Sequence, residues 1–209
     1  MRLLAAEFVT SAAAGGRAGG IPQDGLMHVS MAGRSNVGKS SLINALCRSK
    51  IARTSAAPGK TRLANVYRIT AEGGAGGPGR WAFYLVDLPG YGYARGGADS
   101  AEELRLVAEG YFAGSDRRAA MVLVDARHPG LESDIAAVRW LDGLGVARNV
   151  VATKIDKLTR AERARNLKTL ENVFGTAAVP VSAASGEGLD ALWRMIATIA
   201  RDRDAAPRG

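Results

Sequence analysis

Apolar residues along the chain follow two different spacings. Short continuous or alternating apolar runs predict β-strands at residues 28–32, 65–70, 81–87, 120–126, 149–154 and 177–183. Longer stretches with apolar residues at every third or fourth position predict one-sided helices at residues 39–49, 100–112, 132–144, 160–174 and 188–202. Because strands and helices alternate, crossover helices must join parallel strands. The sequence therefore predicts an α/β fold, a three-layer sandwich.

One connection departs from this alternation. Residues 71–79, AEGGAGGPG, are too short and too rich in glycine for a crossover helix, so they predict a hairpin. The strand at 65–70 is then the antiparallel edge of a six-stranded, mostly parallel sheet. We expect one domain over residues 28–202, preceded by a partly ordered extension at 1–27 and followed by a flexible tail at 203–209.

The composition is that of a globular domain with a basic surface. Of the 209 residues, 47% are hydrophobic and 23% are charged, and the formal net charge is +8. This charge favours a polyanionic partner, with a general solubility charge as the alternative. One predicted helix carries a basic set that forms either a face for RNA or an ordinary solvated face: Arg160, Arg163, Arg165 and Lys168.

Two further features concern the cellular compartment. No run of about 18 apolar residues occurs, so a membrane span is not predicted. Glu7 interrupts the apolar patch near the N-terminus before that patch reaches the length of a signal peptide. Cys47 is the only cysteine, which excludes an internal disulfide and fits a reducing compartment. We therefore expect a cytoplasmic protein with no membrane partner.

The segment GRSNVGKS, residues 33–40, lies between the first predicted strand and the first predicted helix. It matches GxxxxGK(S/T), a loop whose glycines let backbone N–H groups surround phosphate oxygens at a helix N-terminus. Lys39 would reach the outer phosphates, and Ser40 would offer its hydroxyl to Mg²⁺. A chance glycine turn is the plainer alternative, and the strand-loop-helix context disfavours it. The predicted phosphate-binding residues are Gly33, Arg34, Ser35, Asn36, Val37, Gly38, Lys39, Ser40 and Ser41.

The segment DLPG, residues 87–90, ends the third predicted strand. In this position Asp87 can hold Mg²⁺ through a water molecule, and the N–H of Gly90 can meet the terminal phosphate. In isolation the segment would be an ordinary turn at the end of a strand. Because it follows a phosphate-binding loop at the end of a buried strand, we interpret it as a sensor of the γ-phosphate, formed by Asp87, Leu88, Pro89 and Gly90.

The segment TKID, residues 153–156, ends the fifth predicted strand. Asp156 there can accept hydrogen bonds from the N1–H and the exocyclic amine of guanine, while the stem of Lys154 covers the base. Adenine would leave this carboxylate unpaired, and such sites discriminate by about 10⁴ or more. A solvated lysine and aspartate would be favoured for a lone tetrapeptide, but the order after two phosphate motifs favours guanine. In the following SAASGEGLDAL loop, the backbones of Ser182 and Ala183 can face the guanine carbonyl. The predicted base-binding residues are Thr153, Lys154, Ile155, Asp156, Val181, Ser182 and Ala183.

Together these motifs resemble a known family. In order along the chain they are AEFVTSA, AGRSNVGKSSLINAL, PGKTR, DLPGYGYA, VDARHPGLESD, TKID and SAASGEGLDALW. This series is similar to the EngB/YihA/YsxC group of bacterial ribosome-biogenesis GTPases, within the TRAFAC-class translation-factor-like GTPases. The resemblance covers nearly the whole chain. It implies that residues 28–202 are a G domain that binds GTP or GDP with Mg²⁺.

The resemblance also assigns roles to individual residues. Thr61, in PGKT, resembles the switch threonine that joins Mg²⁺ only in the GTP state, so Ser40, Thr61 and Asp87 form the implied metal site. The same loop would carry Gly59, Lys60, Arg62 and Leu63. Slow hydrolysis of GTP is implied, with the catalytic set Lys39, Thr61, Gly90 and Asn36.

A biological role is implied by the same resemblance. The group is implicated in assembly of the large ribosomal subunit and in normal cell division and septation. The expected partners are the subunit precursor, its rRNA and ribosomal proteins, and the free protein is expected to be monomeric. A nucleotide-stabilised RNA-binding protein with incidental hydrolysis is the alternative. A nucleotide kinase is disfavoured, because no insertion is long enough for a lid and a second substrate pocket.

Three positions bear on mechanism. Tyr91 occupies the place after DLPG where many GTPases carry the glutamine that orients the attacking water, which implies slow turnover. Thr153 replaces a more usual asparagine, and its shorter side chain cannot both contact the base and brace the P-loop. Nucleotide binding with a Kd of about 1 μM follows. Asn36 resembles the asparagine that helps to hold K⁺ in potassium-activated GTPases, and a polar side chain turned to solvent is the equal alternative.

Overall fold

The computed structural model describes residues 1–12, 20–52, 63–74, 77–91, 108–112 and 117–202. Several sequence predictions fall outside these ranges and stay predictions. They concern the loop residues Gly59, Lys60, Thr61 and Arg62, most of the helix at 100–112, and the tail at 203–209. Leu63 is described; it precedes a strand, and its side chain is exposed.

Seven strands form one sheet in the order β1-β3-β4-β2-β5-β6-β7. Their bounds are β1 Arg2–Ala12, β2 His28–Gly33, β3 Ala64–Glu72, β4 Arg80–Asp87, β5 Arg118–Asp125, β6 Ala147–Thr153 and β7 Val179–Pro180. β2 pairs in parallel with β4 and β5, and β6 pairs in parallel with β5 and β7. β3 and β4 are antiparallel, as the glycine-rich connection predicted.

The strand count and the identity of the edge strand correct the prediction. The sheet has seven strands rather than six, and β1, which pairs antiparallel with β3, is the edge. β1 was hidden in the sequence because Glu7 breaks its apolar run and two register shifts interrupt its period of two. At the other edge β7 is shorter than predicted, since Pro180 has no N–H to extend a ladder.

Five helical segments are described: α1 Lys39–Cys47, α2 at 108–112, α3 Glu132–Gly143, α4 Arg160–Phe174 and α5 Leu189–Arg201. A short 3₁₀ turn, Ile155–Lys157, leads from β6 towards α4. Thr159 closes a capping box with Glu162 at the start of α4, which fixes where that helix begins. Across the described ranges, none of the helices has the length and apolar character needed to cross a membrane.

Three clusters of buried hydrophobic residues lie in the described part of the chain, and two of them pack on opposite faces of the central strands. Because side chains alternate along a strand, Met121 and Leu123 of β5 pack on one side with α1 and α5. Val122 and Val124 pack on the other side with α3 and α4. The predicted three-layer sandwich is therefore confirmed. In this sandwich the carboxyl ends of the parallel strands β2, β4, β5 and β6 lie side by side.

Candidate nucleotide-binding site

The three predicted motifs meet at the carboxyl ends of the parallel strands. β2 ends at Gly33, β4 at Asp87 and β6 at Thr153. The strand register places Met31 opposite Asp87, and Gly33 opposite Leu123. In α/β sheets this edge is where ligands bind. The sandwich thus brings the phosphate, sensor and base motifs to one place.

Two glycines shape the loop between β2 and α1. A Cβ on Gly33 would lie 2.8 Å from the carbonyl oxygen of Leu123 and 2.9 Å from Cγ1 of Val37, so only glycine fits there. Gly38 has φ of 109°, a left-handed conformation that glycine adopts readily, and it precedes the first residue of α1. Residues 33–40 therefore form a tight loop whose chain turns directly into a helix N-terminus, a geometry that suits phosphate.

Lys39 is the centre of this loop. Its side-chain amine donates to the carbonyl oxygens of Gly33 at 2.7 Å and Arg34 at 3.0 Å, and the residue is only 8% exposed. Burial lowers the pKa of Lys39 to about 8, while the nearby Asp87 carboxylate opposes this shift. The loop thus holds a cation with little water around it, which strengthens its attraction to an anion.

The sensor segment lies directly against this loop. A Cβ on Gly90 would be 2.8 Å from the amine of Lys39 and 2.8 Å from the backbone nitrogen of Ser35. The backbone N–H of Ser35 donates to the carbonyl of Tyr91 at 3.0 Å, and the Ser35 hydroxyl donates to the carbonyl of Gly90 at 3.3 Å. A movement of Gly90 would therefore displace Ser35 and Lys39 of the phosphate loop.

Ser40 and Asp87 form an oxygen pair that fits Mg²⁺. The Ser40 hydroxyl donates to Oδ2 of Asp87 at 2.9 Å, and Oδ1 of Asp87 is buried with no hydrogen-bond partner among the described residues. Burial raises the pKa of Asp87, although Lys39 and the Ser40 hydroxyl oppose that rise. Mg²⁺ is typically held by one or two protein oxygens and completed by phosphates and water. The described ranges hold no cluster of three or more His, Cys, Asp or Glu side chains able to bind a metal.

A cleft of about 310 Å³ adjoins the phosphate loop. Its walls come from the loop, α1, the TKID segment and the chain after β7: Val37, Gly38, Ser41, Leu42, Thr153, Lys154, Asp156, Lys157, Val181, Ala183 and Ala184. The Thr153 hydroxyl lies 2.9 Å from the carbonyl of Val37, so this side chain braces the loop, which is one of the two tasks that its short side chain was predicted not to perform together. The cleft has the location and the polar groups that a base site requires.

Asp156 is fixed within the cleft by a neighbouring serine. The Ser182 hydroxyl donates to Oδ1 of Asp156 at 2.7 Å, and this hydrogen bond is the main cause of the lowered pKa of Asp156. The predicted use of the Ser182 amide is wrong, because that N–H donates to the carbonyl of Glu187 at 2.9 Å. Ser182 therefore holds the aspartate, while Ala183 lines the cleft.

Two apolar members of the predicted site have their side chains elsewhere. Leu88 and Ile155 are 2% exposed, and both belong to hydrophobic cores. Each lies just after the end of a strand, and its apolar side chain is buried by packing against the hydrophobic cluster on the sheet. Only their backbones lie at the site.

Sequence reasoning missed two buried carboxylates that support the site. Asp125, the last residue of β5, contacts Lys154 and Arg127. Asp134, in the first turn of α3, accepts from the Tyr91 hydroxyl at 3.2 Å and lies 3.5 Å from Arg34. The position of Asp125 at a central strand end was a usable signal. Nothing in the sequence marked Asp134 as buried.

The glycine loop, the adjoining carboxylate and the base-sized cleft define a P-loop GTPase domain. Residues 28–161 match the family model described as a 50S ribosome-binding GTPase. A probable GTP-binding protein EngB from Solibacter usitatus is 41% identical over 205 residues, covering 97% of this chain and 100% of that relative. Another, from Chlorobaculum tepidum, is 42% identical over 183 residues, covering 86% and 90%. The chain belongs to the EngB family of GTP-binding proteins, and it is a GTPase.

Solved structures agree on the fold. A crystal structure of a probable GTP-binding protein EngB has a TM-score of 0.62 at 24% identity, covering 84% of this chain and 100% of that one. Aquifex aeolicus Era bound to GDP and aluminium fluoride has a TM-score of 0.69 at 22% identity, covering 85% and 58%. At these identities both structures bear on the fold alone, which matches the predicted one.

We expect Lys39→Met to separate ligand binding from folding. Removing the buried charge offsets the two lost hydrogen bonds, so the free energy of unfolding of nucleotide-free protein at pH 7 should change by less than about 1 kcal/mol. GTP affinity should fall about 100-fold, because charge-assisted contacts to phosphate are lost. Urea unfolding and titration with a fluorescent GTP analogue provide the two numbers. Unchanged GTP affinity would contradict the P-loop assignment.

The same variant tests the lowered pKa of Lys39. Between the folded pKa of about 8 and the ordinary value of 10.5, the unfolded chain binds more protons at this residue than the folded chain does. Lys39 therefore makes stability rise as pH increases through that window. The free energy of unfolding of the wild type relative to Lys39→Met should grow from pH 8 to pH 10. A difference that stays flat over that range would show that the amine is not buried.

Proposed function

We propose that this protein is a nucleotide-gated assembly factor for the large ribosomal subunit, and that normal cell division and septation depend on it through this role. The gating part is carried by one observation, the direct contact of Gly90 and Tyr91 with Ser35 and Lys39 of the phosphate loop. The ribosomal part is supported by membership of a family described as a 50S ribosome-binding GTPase. A cytoplasmic, monomeric protein fits both parts.

The contacts of the sensor segment suggest how gating works. Lys39 and the amides of residues 33–40 would hold the phosphates, and the N–H of Gly90 would meet the terminal one. Since Gly90 is packed against the amine of Lys39, a terminal phosphate bound to this amine would have to share the space that Gly90 occupies. GTP would thus impose a different arrangement of the segment than GDP does, and this difference would create or remove a ribosome-binding surface.

Mg²⁺ is proposed to bind at the Ser40 and Asp87 oxygens, with Thr61 as a further ligand in the GTP state. When bound, the ion supplies charge neutralisation at the phosphates. Ser40 stands at the start of α1 and Asp87 at the end of β4, so both oxygens are held by regular structure.

Guanine is proposed to bind in the cleft against Asp156. The Ser182 hydroxyl donates to Oδ1 of this carboxylate, and the amine of Lys157 lies 3.3 Å from Oδ2. Hydrogen bonding to the ionised form lowers the pKa of Asp156, so the carboxylate is available as an acceptor at neutral pH. The apolar walls from Val37, Leu42 and Val181 suit the faces of a purine.

Asp156→Asn should change the preferred base from guanine to xanthine. The introduced amide can donate to the C2 carbonyl of xanthine but cannot accept from both donors of guanine. GTP affinity should fall about 100-fold or more, while xanthosine triphosphate should become the better ligand. Competition titrations with both nucleotides measure the switch, and Asp202→Asn is a control outside the cleft. A variant that keeps the full preference for GTP would remove the guanine assignment.

Hydrolysis is proposed to be slow without a partner, since Tyr91 replaces the water-orienting glutamine. Its hydroxyl is turned to Asp134 rather than towards Lys39, and burial together with that carboxylate raises the pKa of Tyr91 well above its usual value. The phenol therefore stays protonated and is not a base. Lys39, Gly90 and Thr61 would stabilise charge on the phosphates instead.

We include K⁺ as a proposed further cofactor. Asn36 is exposed at the rim of the phosphate loop with φ of 63°, and its carbonyl accepts from Lys154. Its side-chain oxygen could then help to hold a monovalent cation beside the phosphates, where it would offset developing charge.

Single-turnover hydrolysis should be faster in KCl than in NaCl at equal ionic strength. Asn36→Gly should reduce this difference, because it removes the side-chain oxygen while tolerating the positive φ of Asn36. Rapid-quench measurement at saturating GTP, with Mg²⁺ present throughout, gives both rates. Equal rates in the two salts, with and without ribosomal subunits, would reject potassium activation.

The partner surface is proposed to involve ribosomal RNA. The net charge of +8 favours a polyanion, but part of the basic face on α4 is already neutralised. Arg163 is paired with Glu187, and Lys168 is paired with Glu171. These pairs leave the RNA contact to be supplied largely from other basic positions.

Nucleotide dependence of ribosome binding distinguishes gating from the alternative, an RNA-binding protein that nucleotide merely stabilises. We expect the large subunit or its precursor to bind at least about tenfold more tightly with a non-hydrolysable GTP analogue than with GDP, a coupling of ordinary size. Co-sedimentation across a range of salt concentrations measures this ratio. Equal affinity with both nucleotides would support incidental hydrolysis instead.

A further inference from the structure

Asp125 has a buried carboxylate that joins two cations beside the cleft. It is the last residue of β5 and is 3% exposed. The Arg127 guanidinium donates to both carboxylate oxygens, from Nε to Oδ1 at 2.9 Å and from a terminal nitrogen to Oδ2 at 2.7 Å. The Arg127 backbone N–H also donates to Oδ1, at 3.1 Å. A bidentate arginine fixes the plane of a carboxylate. The direction in which Asp125 offers its oxygens is therefore set.

Lys154 is the second cation. Its amine lies 3.0 Å from Oδ2 of Asp125 and donates to the carbonyl of Asn36 at 2.7 Å. Lys154 also has φ of 60°, in the left-handed region that is uncommon for a lysine. That backbone conformation must be stabilised by its surroundings. The contacts of the amine contribute to this, together with the Lys154 carbonyl, which accepts from the N–H of Lys157 at 3.0 Å.

The Asp125 contact has an effect on the phosphate loop. Lys154 binds the carbonyl of Asn36, and its neighbour Thr153 binds the carbonyl of Val37. Two successive residues of the base motif thus hold two successive carbonyls of the phosphate loop. Both Lys154 and Val37 line the cleft, so these hydrogen bonds join two parts of its wall.

Burial alone would oppose the charge on Asp125. Desolvation raises its pKa, but the hydrogen bonds from Arg127 and Lys154 outweigh this effect and hold the pKa well below the usual range. The carboxylate is accordingly ionised at neutral pH, and its negative charge attracts the Lys154 amine.

We propose that Asp125 is a positioning residue for the base cleft: clamped by Arg127, it holds the Lys154 amine against the Asn36 carbonyl so that the Lys154 stem forms one wall of the cleft. This proposal rests on the proposed assignment of the cleft to guanine. It predicts that Asp125 acts on nucleotide affinity through Lys154, and on GTP and GDP alike, because both carry the same base.

The test is a double-mutant cycle of Asp125→Asn and Lys154→Met, with Kd for GDP and for a non-hydrolysable GTP analogue measured by calorimetry. Asp125→Asn should weaken both ligands about tenfold, the size expected for one charge-assisted contact. In the Lys154→Met background, which keeps an apolar stem, the same change should matter less than about twofold. Asp142→Asn is the matched control, since Asp142 makes a similar bidentate pair with Arg148 away from the cleft.

Folding is checked in parallel by urea unfolding of every variant. Should Asp125→Asn fail to fold, Arg127→Met keeps the carboxylate and removes its clamp. We expect a loss of about threefold for both ligands in the wild-type background and none in Lys154→Met. This loss is smaller than that expected for Asp125→Asn because Arg127→Met keeps the carboxylate and only lets it rotate.

The outcomes separate this inference from the guanine assignment. Wild-type protein that binds GDP no better than ADP would overturn the assignment of the cleft. Wild-type specificity for guanine, combined with unchanged Kd in Asp125→Asn, would overturn the positioning role alone. A loss that persists undiminished in Lys154→Met would also overturn it, because Asp125 would then act through another route. A loss that affects only the GTP analogue would place the effect at the phosphates and equally contradict the proposal.

Discussion

The ammonium group of Lys39, enclosed by backbone oxygens, is the constraint on which the neighbouring loops depend. A cation with so little water must be compensated locally, and here the carbonyls of Gly33 and Arg34 and the carboxylate of Asp87 do so. These groups belong to β2, the phosphate loop and β4. Close packing explains why glycine stands at both 33 and 90. A Cβ on Gly33 would collide with the carbonyl oxygen of Leu123 and with Val37, and a Cβ on Gly90 would collide with the Lys39 amine itself.

The phosphate end and the base end of the site are one mechanical unit. Hydrogen bonds from Thr153 and Lys154 to adjacent carbonyls of the phosphate loop connect β6 to β2 across β5. Asp125, at the end of the strand between them, fixes one of these contacts. A site built in this way recognises the two ends of a nucleotide together, because a displacement at either end strains the other.

Local chemistry explains what the sequence could predict. The helix at 160–174 was found to the residue, since its cap and apolar spacing are local signals. The glycine loop was recognisable because its spacing is dictated by backbone geometry. β1 was missed because a strand at an edge is defined by its partner more than by its own pattern. The amide of Ser182 was misassigned for a similar reason: its acceptor, Glu187, is set by the tertiary fold of a loop. Asp134 carries no local sign of burial, whereas the place of Asp125 at the end of a central strand was a signal that could have been used.

The ladder order of the sheet has a consequence for the order in which it can assemble on a growing chain. Of the described strands, β1 is synthesised first, yet the strand that it pairs with, β3, begins at Ala64, after β2 and α1 have been made. β2 likewise pairs with strands that are made after it, β4 and β5. The hairpin of β3 and β4 has the shortest connection in the sheet, so we expect it to close early and to offer its free edge to β1. During synthesis β1 is thus an exposed strand edge until β3 has been made, and this is the stage at which it is most open to wrong pairing.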